Sequence, residues 1–179
     1  MTRREQITVP QRVGDPLEID YSAAAPDFGP LARDRIPVRS IRESDLKVLS
    51  GIDQRITGHD RRDYFERKLA EALSESDLSV SLVAELDGQP VGFIMARVDL
   101  GEFGRLEPAA VLDTIGIDPE FRGRGVGRAL LTQLLVNLSS LRVDKVRTEI
   151  DWLDGDLLGF LARCGFRPAT RLSFAYRLP

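Results

Sequence analysis

The order of hydrophobic patterns along this chain predicts an α/β fold. Three observations carry that reading. Apolar, β-branched runs alternate with stretches of helical spacing, two of the runs meet at a hairpin turn, and one run feeds through three glycines into a leucine-rich helix. At 179 residues the chain can bury one sizeable core.

Residues 1–36 contain Pro10, Pro16, Pro26 and Pro30 together with Gly14 and Gly29, which forbids a continuous helix and disfavours a central strand. They predict a proline-rich arm ahead of a domain over residues 37–179. Within the arm, residues 6–9 or 17–21 are candidates for an edge strand or for wrapping a neighbouring subunit.

From Val38 to Ile41 the pattern is a short strand, and Glu43 to Asp45 begin a helix through Gln54 with Leu46, Leu49 and Ile52 on one side. Asp60 caps a second helix to about Leu73, with Phe65, Leu69 and Leu73 at helical spacing. Residues 79–86 and 91–98 read as strands joined by Asp87-Gly88-Gln89-Pro90, a hairpin signal. Residues 111–117 form the next strand, and a helix follows the glycines to about Leu141. Residues 143–152 are another strand, with Val146, Thr148 and Ile150 alternating against charged neighbours. Residues 157–163 form a short helix stopped by Gly165, and residues 172–178 a last strand.

The loop between strand 111–117 and its helix reads Arg122-Gly123-Arg124-Gly125-Val126-Gly127-Arg128. Its glycines reach left-handed conformations and leave no Cβ between backbone and ligand. The first N–H groups of the helix lack intrahelical partners and sit at its positive end, so the loop reads as a cradle for phosphate or pyrophosphate. A P-loop would need Gly-Lys-Ser/Thr, and no lysine follows here. A dinucleotide fingerprint would need glycine where Arg128 stands, so NAD binding is the weaker alternative, and a plain glycine turn with solvated arginines is another.

Bulk properties narrow the classes. A net charge of -3 gives no global attraction to nucleic acid. One cysteine excludes an internal disulfide, and one histidine excludes a His-rich zinc site, so no metal is expected. No run approaches the ~20 apolar residues of a membrane helix, and no apolar segment follows the charged N-terminus, so a cytoplasmic location is expected.

Residues 122–127 resemble the Arg/Gln-x-x-Gly-x-Gly/Ala signature of the GNAT superfamily of acyl-CoA-dependent N-acyltransferases, supported by the lead-in Asp118-Pro119-Glu120-Phe121 and the helix that follows. The resemblance extends from about Val38 to Pro179. It implies a mixed six- to seven-stranded sheet with helices on both faces, whose central parallel strands, 111–117 and 145–152, splay apart. It also implies an N-acetyltransferase in which acetyl-CoA and a primary amine react directly in a ternary complex. A non-catalytic acyl-CoA sensor or interaction module is the alternative.

Such a transfer needs a base, because a free lysine amine has a pKa of ~10.4, and a donor for the developing oxyanion. By resemblance Glu149 or Asp113 is the base, Glu149 being similar to the strand-five glutamate of the ribosomal-protein N-acetyltransferases. The resemblance puts Ile115, Gly116 and Ile117 beside the acyl carbonyl and pantetheine. It puts Arg122, Gly123, Arg124, Gly125, Val126, Gly127 and Arg128 on the pyrophosphate, and Asp154 where many relatives have a cofactor-contacting Asn. Many relatives also have a Tyr where this chain has Leu161, so solvent, Tyr64 or Tyr176 would protonate the departing thiolate. The loop 56–64 would border the acceptor pocket, with Arg55, Arg61, Arg62 and Tyr64 as recognition candidates and His59 as a solvated loop histidine. The acceptor is a small-molecule or a peptide or protein amine, with a slight tilt to the latter. Only one strand follows Phe166, so the arm or a second copy in a homodimer would complete the sheet.

Overall fold

The computed structural model describes residues 36–74, 80–99, 109–169 and Tyr176. Strand β1 (Val38–Ser40) leads through a 3-10 turn at Glu43–Asp45 into helices α1 (Leu46–Thr57) and α2 (Arg62–Ser74). The hairpin β2 (Leu82–Leu86) and β3 (Gln89–Asp99) follows, then β4 (Ala109–Ile117), a 3-10 turn at Pro119–Phe121, α3 (Val126–Ser140), β5 (Val146–Arg147) and α4 (Gly155–Arg163). The expected alternation of strands and helices is present.

The strands form one mixed sheet in the order β1-β2-β3-β4-β5, antiparallel throughout except for the parallel pair β4 and β5. Five strands are found among the described residues against the six to seven expected. The expected strand 172–178 and the arm 1–35 lie outside the described residues.

Local chemistry explains most boundaries. Asp87 and Gly88 both have positive φ, 50° and 75°, and Leu86 pairs with Gln89, so the hairpin closes through a two-residue turn with the twist its strands need. The Asp60 carboxylate accepts from the Arg62 N–H at 3.0 Å and starts α2. Gly165, at φ 91°, follows the end of α4.

Both faces of the sheet are covered. On one, Leu130, Leu134 and Leu138 of α3 and Leu161 of α4 pack with Leu82, Ala84, Ile94 and Leu112. On the other, Leu49 and Ile52 of α1 and Phe65 and Leu69 of α2 pack with Val83, Phe93 and Met95. Each fully buried side chain of this size contributes roughly 1.5–3 kcal/mol of transfer free energy.

Two irregularities shape the site. Met95 pairs with Thr114 but Ala96 with Leu112, so Asp113 is an extra residue in β4, a β-bulge. The pairing of β4 with β5 stops at Val111 and Arg147, which shortens the expected strand 143–152 to two residues. Beyond that point side chains replace the backbone ladder. The Thr148 hydroxyl donates to the Leu112 carbonyl at 2.9 Å, and the Asp151 carboxylate accepts from the Leu153 N–H at 2.8 Å, turning the chain toward α4.

Candidate active site

Where β4 and β5 part, they leave a wedge of about 120 Å³ lined by Leu112, Asp113, Thr114, Ile115, Thr148, Glu149 and Ile150, with Leu157 and Leu161 of α4. Both carboxylates singled out in the sequence meet here. They differ in their surroundings. Asp113 forms an ion pair with Arg97 and lies 3.9 Å from Lys68 Nζ of α2. Glu149 is exposed, and among the described residues nothing bonds its carboxylate.

Lys68 is itself held above the ordinary lysine range, chiefly by its hydrogen bond to Glu71, with Asp113 adding to that against slight burial. Neither Lys68 nor Arg97 carries a sequence signal that ties it to Asp113. The sheet register and the packing of α2 bring them there.

The β4 edge facing the wedge has a definite polarity. The N–H of Asp118 bonds the Val91 carbonyl of β3 at 2.9 Å, so by alternation the N–H and C=O groups of Ile117 and Ile115 point to the opposite edge, toward β5. β5 does not pair with them. Gly116 faces the other way, and its smallness has a packing cause: a Cβ there would lie 2.6 Å from Phe93 Cε1.

β4 runs on into the glycine turn. Gly123 and Gly125 have φ of 75° and 89°, a backbone that L side chains rarely adopt. The first intrahelical bond of α3 runs from the Ala129 N–H to the Gly125 carbonyl at 3.0 Å, which leaves the N–H groups of Val126, Gly127 and Arg128 without helical partners. The Val126 side chain is buried in the core, so only its backbone is available at the turn. A Cβ on Gly127 would lie 3.3 Å from the Phe160 ring of α4. Arg122, Arg124 and Arg128 are exposed, the Arg124 guanidinium standing 5.1 Å from the centre of the Phe121 ring.

Other sequence candidates fall elsewhere or are occupied. The Asp154 carboxylate accepts from the Leu157 N–H at 3.0 Å and caps α4. Leu161 is buried in the core at the base of the wedge. Tyr176 is exposed, and Tyr64 packs edge-on against Phe65 with Arg61 over its ring. His59 is exposed and its ring makes no hydrogen bond among the described residues. Arg55 bonds Asp118 at 2.6 Å, and Arg61 holds the buried Asp53. Arg62 stays exposed, 3.9 Å from Glu66.

Among the described residues no helix is long and apolar enough to cross a membrane. The fold has close counterparts. An aminoglycoside N-acetyltransferase, AAC(6')-Iy, solved with CoA, superposes with a TM-score of 0.68 at 19% identity, over 79% of this chain and 94% of that one. The ribosomal-protein-alanine N-acetyltransferase of Brucella melitensis biovar Abortus 2308 gives 0.62 at 21% identity, over 80% and 99% of the two chains. Glucosamine-6-phosphate N-acetyltransferase from Arabidopsis thaliana gives 0.60 at 20%, over 80% and 99%. Residues 46–166, which span the wedge, the glycine turn and both flanking helices, match the model of the acetyltransferase (GNAT) family. The chain thus belongs to the GNAT family of acetyltransferases, which draw their acetyl group from acetyl-CoA.

Proposed function

We infer that the chain is an acetyl-CoA-dependent N-acetyltransferase acting on a primary amine by direct attack, its acceptor a small-molecule or a peptide or protein amine. One observation supports it most: the unpaired edge of β4 passes two carboxylates and then enters the glycine turn, so donor and acceptor chemistry share one wedge. The catalytic unit is residues 37–179, with residues 1–36 as an arm.

The residues present fit the donor. The turn is exposed, with open space at Gly123 and only Ile36 Cδ1, 3.9 Å from where a Cβ would stand, beside Gly125, and the free N–H groups of Val126, Gly127 and Arg128 suit a pyrophosphate, with Arg122, Arg124 and Arg128 as counter-charges. The backbone groups of Ile115 and Ile117 would hold the pantetheine arm and polarise the acyl carbonyl. When bound, acetyl-CoA supplies an acetyl group activated as a thioester.

Of the two carboxylates, Glu149 is the better base. Asp113 is engaged by Arg97 and Lys68 and serves to order them, whereas Glu149 is free to take a proton from the acceptor amine, directly or through water. The departing thiolate takes its proton from solvent, since Leu161 has none to give. Gly116 acts through packing, and Asp154 by starting α4.

The test has two arms. Calorimetry near physiological salt should show CoA binding that Gly125→Asp abolishes; absent binding, or a variant that binds equally well, overturns the donor assignment. Thiol release should be measured with peptide N-termini, lysine, polyamine and aminoglycoside acceptors, and Glu149→Gln should lower kcat about 10²- to 10⁴-fold with CoA affinity unchanged. The buried Leu161, in place of a hydroxyl, favours a second reading as a non-catalytic acyl-CoA sensor. CoA binding with no turnover across the panel would establish that reading instead.

A further inference from the structure

Asp118 stands at a junction. Its N–H closes the end of β4 on the Val91 carbonyl, and one carboxylate oxygen accepts from the Glu120 N–H at 3.2 Å, setting the turn that leads into the glycines. The other oxygen accepts a 2.6 Å bond from Arg55 Nη2, in the last turn of α1 and 63 residues away in sequence. The Asp118 side chain is only 12% exposed, so its orientation is fixed by these partners.

The segment around Arg55 is anchored at a few points. Asp53, two residues earlier, is buried and holds Arg61 at the far end of the connection to α2. The Thr57 hydroxyl donates to the Asp53 carbonyl at 2.9 Å, and left-handed Gly58 ends the helix. Ile56 lies over β4, its Cδ1 3.4 Å from where a Gly116 Cβ would stand. Residues 54–61 are exposed and held at these points, and the Arg55–Asp118 pair links that segment to the start of the glycine turn.

We propose that Arg55 and Asp118 are positioning residues that pass occupancy of the glycine turn to residues 53–61, so that binding the donor orders the end of α1 and its connection to α2, whose Ile56 lies over β4. The inference rests on the donor-site reading given above. A ligand on the N–H groups of Val126 to Arg128 restrains the turn from Pro119 onward, hence the Asp118 carboxylate, hence Arg55 and the helix end that bears it. Such coupling is reciprocal, and it operates through ordering even with no change of shape.

Amide hydrogen exchange of the full chain, with and without saturating CoA, tests this directly. In the parent protein CoA slows exchange both at residues 120–130 and, by about fivefold or more, at residues 54–62. In Arg55→Gln protection persists at 120–130 and is lost at 54–62, and Arg55→Lys restores part of it. Asp118→Asn, which keeps an acceptor for the Glu120 N–H, provides a second route to the same loss should Arg55→Gln fold poorly. Equal protection of 54–62 in parent and variants, or none in the parent despite protection at 120–130, overturns the coupling. Absence of protection at 120–130 in the parent overturns the donor site itself.

Discussion

The hydroxyl of Thr148 donates a 2.9 Å hydrogen bond to the carbonyl of Leu112 across the mouth of the wedge, one step past the last backbone pairing of their two strands. A side chain thus takes over where the ladder ends. Thr148→Val keeps the shape and removes the donor, and should lower stability by about 0.5–1.5 kcal/mol. Urea denaturation would show a lower midpoint with an unchanged slope, and a midpoint equal to the parent's would show that the hydroxyl contributes nothing.

Gly116 separates packing from binding. Its Cβ would meet the Phe93 ring at 2.6 Å, and that ring is fully buried, so neither partner can yield easily. Gly116→Ala should destabilise by about 1–3 kcal/mol, read as a lower Tm. Calorimetry on the folded variant should return the parent's CoA affinity; a large loss of affinity at unchanged Tm would make Gly116 a ligand-contacting residue after all.

Acid should weaken the β1 corner. Burial alone would raise the Asp45 carboxyl, but the bidentate bond from Arg39 and the Arg42 N–H outweigh it and hold the group below the usual carboxylate range. Its folded pKa being depressed, the unfolded chain binds more protons between the two values. The stabilisation is complete above the ordinary value of about 3.9 and is lost as pH falls through the folded one. Asp45→Asn should therefore flatten the acid limb of stability against pH, measured by chemical denaturation from about pH 6 downward. A parallel acid limb in the two proteins would assign that limb to other carboxylates.

Cys164 should be a slow nucleophile. Burial pushes its thiol up, and the nearby Arg128 and Arg163 oppose that without reversing it. Alkylation by iodoacetamide near about pH 8, followed by intact mass, should run well behind that of glutathione and accelerate in urea. Native-state labelling at the glutathione rate would contradict the burial argument.

Much of the fold is legible in the sequence because local chemistry fixes it. Asp87-Gly88 dictates the hairpin, Asp60 the start of α2, Gly165 the stop after α4, and leucine spacing the buried side of α3. The glycine turn is legible for the same reason, since positive φ at Gly123 and Gly125 is a property of those residues. What escapes the sequence is long-range. Arg55 and Asp118 lie 63 positions apart, and Arg97 and Asp113 sixteen, with no pattern to pair them. The run 143–152 alternates like a strand, yet its backbone leaves the sheet after Arg147, because pairing depends on where β4 stands rather than on its own residues.

The extra residue at Asp113 has a consequence for handedness of address along β4. Leu112 and Ile115 are three apart, an odd interval that plain alternation would send to opposite layers, yet both join the layer beneath α3 and α4. Removing that one peptide unit would exchange the isoleucines with Gly116 and set Phe93 against a branched side chain. A single inserted amino acid, invisible to periodicity, thereby chooses which half of the molecule owns the wall of the cleft.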